Sequence, residues 1–174
     1  MREFQKRKDN MLIGGVSAAK LAQRFGTPVM VTDENALREN YRAINEAFNA
    51  VFPTRINYAC KANTNLALLR VLEQEGSCID AVSIGEVESC LRAGFSPDRI
   101  LYTGVSVPDE EMRMLVERKV PINVDSVGQL RRLAAISNVH PISLRVNPDV
   151  GSGHSQKVVT GTKGAKFGIP KEEI

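Results

Sequence analysis

From Arg55 onward, short runs rich in Ile, Val and Tyr alternate with stretches whose apolar residues recur at helical spacing. This alternation restricts the chain to repeated βα units on a parallel sheet. Five runs read as strands, at residues 56–60, 79–82, 99–103, 121–124 and 141–146. Helical patterns lie between them at 65–75, 85–93, 109–118 and 127–136, with Leu66, Leu69 and Leu72 marking the spacing in the first. Gly76 and Gly94 follow two of these helices where a left-handed cap is expected, and Asp109 reads as the N-cap of the third.

Upstream, residues 17–25 predict a short amphipathic helix stopped by Gly26, residues 28–32 a strand, and residues 34–48 a longer helix with Leu37, Tyr41 and Ile44 on one face. At the other end, Pro170 and the acids Glu172 and Glu173 suit the first turn of a helix that the sequence does not continue. A closed (β/α)8 barrel takes eight strands and roughly 250 residues. Five strands in 174 residues therefore predict either the front part of such a barrel or a smaller open α/β sheet. An uncovered edge on a partial barrel predicts association or aggregation.

Composition removes several function classes. With 43% hydrophobic and 25% charged residues, the chain is close to the globular average and predicts a soluble, compact fold. The excess of 23 Lys+Arg over 20 Asp+Glu is only +3. Its one dense basic run, residues 2–8, reads as a solvated terminus, so no nucleic-acid partner is expected. Cys60, Cys78 and Cys90 form no C-x-x-C pair and follow no apolar signal stretch, which points to a reducing cytoplasm over a disulfide framework or zinc site. No run approaches the roughly 20 apolar residues of a membrane helix, so no membrane is expected.

In parallel α/β folds ligands sit at the carboxyl ends of the strands. Each of the five strands carries a polar group there: Lys61 and Asn63, Asp80 with Ser83, Thr103, Asp125, and Arg145 with Asn147. Alternation places Asn57, Ala59 and Lys61 on one strand face. A lysine so placed either reaches into solvent or, with its pKa lowered by burial, attacks an aldehyde as a neutral amine. Asp80, between Ile79 and Ala81, needs a partner. Lys61 on the next strand could supply it, as a structural ion pair or as half of a cofactor site. Arg145 poses the same question with the opposite sign.

A long polar loop after the fifth strand holds Gly151-Ser152-Gly153-His154 and Gly161-Thr162-Lys163-Gly164. Neither is a phosphate-loop signature. His154 reads as a solvated loop histidine and His140 as a residue at a strand start, so no metal site is predicted. No catalytic triad order or nucleophile elbow appears.

Four blocks in order resemble the fold-type III pyridoxal-phosphate decarboxylases. They are Gly26-Thr27-Pro28 with Val31-Thr32-Asp33-Glu34, Tyr58-Ala59-Cys60-Lys61-Ala62-Asn63, Asp80-Ala81-Val82-Ser83-Ile84-Gly85-Glu86, and Leu144-Arg145-Val146-Asn147-Pro148. The second matches the family's Schiff-base motif, usually written Y-A-x-K-A-N. The Thr160-Gly161 pair and Lys166-Phe167-Gly168-Ile169 favour the branch that converts meso-diaminopimelate to L-lysine over the ornithine and arginine branches.

The resemblance implies the N-terminal part of a TIM-like, alanine racemase-type (β/α)8 barrel over residues 28–174, preceded by a tail and short helix over 1–27. It implies pyridoxal 5'-phosphate as cofactor, with Lys61 as the Schiff-base lysine and Asp80 and Arg145 beside the cofactor. It further implies an amino-acid substrate, a cytoplasmic enzyme and a homodimer at full length. The family's stacking histidine, glycine-rich phosphate loop, pyridine-facing glutamate and dimer-borne cysteine motif are expected beyond residue 174, so the chain alone is expected to be inactive. Competing readings are another fold-type III enzyme, such as an amino-acid racemase or carboxynorspermidine decarboxylase, and a non-catalytic piece acting by association.

Overall fold

The computed structural model of the protein describes residues 6–7, 10–150, 161–162 and 166–174. Two compact units divide at Thr54/Arg55. In the first, β1 (Lys6–Arg7), β2 (Asn10–Ile13) and β3 (Val16–Ser17) form an antiparallel meander. Gly14 and Gly15 join β2 to β3 with φ of 56° and 80°. Two consecutive positive φ values make the primed turn whose twist matches paired strands, and glycine adopts it without a Cβ clash. The basic terminus expected as a solvated end thus contributes Lys6 and Arg7 to a strand, because backbone ladder bonds do not depend on side-chain polarity.

Helix α1 (Ala18–Phe25) ends at Gly26, and α2 (Glu34–Asn49) begins on Asp33. The Asp33 carboxylate accepts the amides of Asn35 at 3.0 Å and Ala36 at 3.3 Å, which satisfies donors a helix start leaves open. Of the three α2 residues expected on one face, Tyr41 is buried while Ile44 is exposed. Residues 28–32 are not a strand. A strand persists only where a neighbour completes its ladder, none pairs with this segment among the described residues, and Met30 is 97% exposed.

The second unit carries the sheet. Strands β4 (Asn57–Ala59), β5 (Cys78–Ala81), β6 (Ile100–Tyr102), β7 (Ile122–Val124) and β8 (Ile142–Leu144) lie side by side in chain order, all parallel. Helices α3 (Leu66–Gln74), α4 (Ile84–Ala93), α5 (Asp109–Glu117) and α6 (Val127–Ile136) make the crossovers. Crossovers of one hand between successive strands stack helices on one face. That face is the core: Ile79, Ala81, Ile100, Tyr102, Ile122 and Val124 are buried, as are Leu69, Leu72, Val87, Cys90, Met112, Leu115 and Leu133 from the helices. The opposite face holds Ala59, Asp80, Leu101, Asn123 and Ser143, joined by register across neighbouring strands and left partly open.

The helix starts repeat one device. Ser83 Oγ accepts the Glu86 amide while Glu86 Oε2 accepts the Val82 amide, and Ser126 and Gln129 do the same with the Asp125 amide. This is a capping-box exchange set back by one residue. Asp109 is the first helical residue of α5, not its cap; Pro108 occupies the cap position, and the Asp109 carboxylate pairs with Arg132.

Three helices end with the same pair of carbonyl-satisfying bonds: Ser77 N to Leu72 O and Gly76 N to Glu73 O after α3, and the equivalents from Phe95 and Gly94 after α4 and from Val120 and Lys119 after α5. Each turn needs a left-handed residue. Gly76 (φ 86°) and Gly94 (φ 102°) were legible as stops, whereas Lys119 (φ 58°) adopts the conformation without glycine's freedom.

The chain bends at Arg145, whose amide bonds to Val124 O and whose carbonyl accepts the Ile169 amide. It continues as β9 (Val146–Asn147), paired in parallel with β10 (Ile169–Pro170). Pro170 therefore belongs to a short strand of a separate two-stranded parallel sheet, followed by a 3-10 turn over Lys171–Glu173, and not to the first turn of an α-helix. Proline fits there because a strand edge does not require its missing N–H.

The caps generate opposite mutational effects. Gly94→Ala should lower stability by about 1–2 kcal/mol, since a Cβ at positive φ is strained and would also displace the Arg70 guanidinium. Lys119→Gly should raise it by up to about 1 kcal/mol by relieving the same strain. Urea unfolding of the two variants against the parent checks both signs.

Candidate active site

The polar strand ends resolve into three groups. Lys61 lies in a 3-10 turn, Cys60–Ala62, immediately after β4. The turn is closed by Asn63 N to Cys60 O at 3.1 Å, and Tyr58 Oη donates to Asn63 O at 3.3 Å. Cys60 is fully buried, with its Sγ 3.6 Å from that of Cys90 on α4. The sequence alternation carried Lys61 along the strand face, but the strand stops at Ala59. A buried thiol anchors the turn, and Lys61 stands exposed beside it.

Asp80 lies on β5 level with Ala59. Its Oδ1 accepts a short hydrogen bond from Thr103 Oγ1, just past β6. The expected pairing of Asp80 with Lys61 is not formed: among the described residues no ion pair joins them within 4.0 Å. The carboxylate instead accepts the Thr103 hydroxyl on its β6 side.

Asp125 and Arg145 make the third group. Arg145 Nη1 lies 3.3 Å from Asp125 Oδ1, and its guanidinium sits over the Phe167 ring at 4.3 Å from the centroid. Asp125 Oδ1 also accepts the Gly168 amide at 3.1 Å. Asn147 gathers the returning chain, donating to Thr162 O and Phe167 O and accepting from the Asp149 amide. An arginine flanked by a carboxylate and an aromatic face is oriented as well as neutralised. Thr103 was legible as a polar strand end and Phe167 as part of a family block, but their pairings with Asp80 and Arg145 were not, because stacking and cross-strand bonds leave no periodic signal.

His140 bonds Val120 O through Nε2 at 2.9 Å, a structural contact at a strand start. His154 and Thr160 lie outside the described residues. Among those described, no cluster of three His, Cys, Asp or Glu side chains could hold a metal, and no helix is long and apolar enough to cross a membrane.

Residues 34–174 match the family described as pyridoxal-dependent decarboxylase, pyridoxal binding domain. The chain belongs to this family. It is 51% identical over 168 residues to diaminopimelate decarboxylase of Methanothermobacter thermautotrophicus, covering 95% of this chain and 39% of that one. It is 38% identical over 178 residues to the Pseudomonas aeruginosa enzyme of that name, covering 99% and 43%. The crystal structure of diaminopimelate decarboxylase from M. jannaschii with L-lysine superposes with a TM-score of 0.84 at 32% identity, over 96% of this chain and 41% of that one. The chain thus spans about two fifths of the length of the curated relatives it matches. The five-stranded arc is the N-terminal part of their α/β barrel, and pyridoxal phosphate is the cofactor this family uses.

The residues present suit that cofactor. Its aldehyde needs an accessible amine, and Lys61 is an exposed amine at the carboxyl end of a strand. The polar strand-end groups Asp80 and Arg145 are already held by neighbours of their own.

The thiols near Lys61 are the opposite of reactive. Burial pushes Cys60 above the ordinary 9.0, with the Glu86 and Asp80 carboxylates adding to the rise, and burial together with Cys60 pushes Cys90 up further. Unfolded thiols ionise near 9.0, and both folded thiols are raised above it, so just above that pH the folded state binds more protons. This stability is therefore complete below the unfolded value and is lost as pH rises from there through the raised folded values, with Cys90 contributing about 1.4 kcal/mol per pH unit. Urea unfolding from about pH 8 to about pH 10.5 should show that decline, while a flat profile would mean the two thiols are not sealed.

Proposed function

We propose that the complete protein decarboxylates meso-diaminopimelate to L-lysine, with pyridoxal phosphate held covalently through Lys61. The observation that carries this reading is Lys61 itself, an exposed strand-end amine in Tyr58-Ala59-Cys60-Lys61-Ala62-Asn63, within a chain 51% identical to a diaminopimelate decarboxylase. When bound, the cofactor supplies an electron sink for the carbanion left by loss of carbon dioxide.

This chain's own side chains then have separate tasks. Lys61 anchors the cofactor and carries a proton on its amine. Asp80 places a fixed negative charge near that amine, and Arg145, steadied by Asp125 and the Phe167 ring, places a cation on the cofactor side. β4 and β8 form opposite edges of the open arc, and closing the arc into a barrel brings such edges around one mouth. The family match beginning at residue 34 supports grouping residues 28–174 as the barrel portion, after a tail and short helix over 1–27. We further propose a cytoplasmic homodimer acting on a free amino acid, which accords with three unpaired, buried cysteines.

Borohydride reduction of the full-length protein with pyridoxal phosphate should leave one pyridoxyl group, on the peptide containing Lys61, and Lys61→Ala should remove it and lower turnover by at least about a thousandfold. Absence of the adduct would exclude the enzyme reading. An adduct without lysine formed from meso-diaminopimelate would instead favour another branch, such as a racemase.

A further inference from the structure

We propose that Thr103 is a positioning residue, holding the Asp80 carboxylate toward β6 so that the Lys61 amine is left without an ion pair. The inference rests on the reading of Lys61 as the covalent anchor and adds a residue that the motifs around it do not contain.

The sheet register puts Asp80 within the reach of a lysine at position 61. Ala59 is level with Asp80, Lys61 follows two residues later, and adjacent strands lie only about 4.8 Å apart. A lysine side chain spans that gap. The pair is nevertheless absent, and Asp80 Oδ1 is taken by Thr103 Oγ1 from the strand on the other side. Thr103 is itself fixed, because its amide donates to Ala81 O at 2.7 Å and a β-branched side chain has few χ1 choices. The hydroxyl therefore holds one carboxylate oxygen toward β6.

The consequence is chemical. An ammonium paired with a carboxylate gives up its proton less readily than one in water, and only the neutral amine attacks an aldehyde. Two carboxylates act on the turn that carries Lys61, Asp80 from β5 and Glu86 from α4. Glu86 is engaged by the Val82 amide at 2.8 Å, so Asp80 is the one that a single substitution can release. The other titratable groups there, Tyr58 on β4, Cys60 in the turn and Cys90 on α4, are all raised by burial. Arg145 stands on the far edge of the arc.

The test is the rate of pyridoxal phosphate association with the full-length apoenzyme, followed by absorbance across pH, a readout independent of turnover. In Thr103→Val the freed carboxylate should pair with Lys61, moving the half-maximal pH upward by on the order of one unit and slowing association at neutral pH by roughly tenfold. Thr103→Ser should restore the wild-type profile, and Thr103→Val combined with Asp80→Asn should abolish the shift. Thr103→Ala serves if the valine variant does not fold.

An unshifted midpoint in a folded Thr103→Val or Thr103→Ala protein overturns the proposal, as does a shift that persists without the Asp80 charge. If wild-type protein forms no adduct at Lys61, the functional reading itself has failed. A wild-type adduct with an unshifted variant removes the role of Thr103 alone.

Discussion

Everything that positions the site depends on a parallel ladder sealed on one face and open on the other. Ile79, Ala81, Ile100, Tyr102, Ile122 and Val124 alternate along the strands and vanish beneath the helices. Because the side-chain period of a strand is two, their neighbours Asp80, Leu101 and Asn123 are committed to the opposite face. The hydrophobic effect thus acts on one set of residues and places the polar set without touching it. A slip of one residue in β5 would bury Asp80 among helices, where an unpaired carboxylate is costly.

The strand ends are then held by polar contacts that the ladder makes possible. Asp125 meets both Arg145 and the Gly168 amide because it follows β7, Arg145 follows the neighbouring β8, and Gly168 precedes β10, which pairs with the continuation β9. With Arg145 partly exposed, the ion pair adds little net stability, and its main effect is orientation. Thr103 and Asp80 are related in the same way across β5 and β6. At β4 the anchor is apolar instead: Cys60 fills the helix layer beside Cys90, and the backbone turn it fixes leaves Lys61 outside. Hydrophobic burial and polar exposure are thus set by adjacent residues, Cys60 and Lys61.

The arc is not uniformly covered. Ile142 and Leu144 on β8 are in register with the sealed Ile122 and Val124, yet they are 43% and 40% exposed. More than half the length of the relatives of known structure lies outside the matched portion, and apolar strand faces of this kind are covered by helices in α/β barrels. The polar cluster at Arg145 and the amine at Lys61 sit at the two margins of the described sheet, which is where additional barrel strands have most influence on a shared mouth.

The sequence by itself determined the βα rhythm, the parallel sheet, the glycine stops at Gly76 and Gly94, and the residue types at the strand ends, because periodicity and cap chemistry are local. It also carried the family motif around Lys61. It misjudged residues 28–32, whose β-prone composition cannot supply a partner strand, and it overlooked the Gly14-Gly15 turn.

Only the tertiary structure decided that β4 stops at Ala59, that Thr103 and not Lys61 engages Asp80, that Phe167 lies under Arg145, and that Lys119 takes a left-handed conformation without being glycine. Each of these outcomes is a competition between groups far apart in sequence, settled by which partner the packed sheet brings within bonding distance.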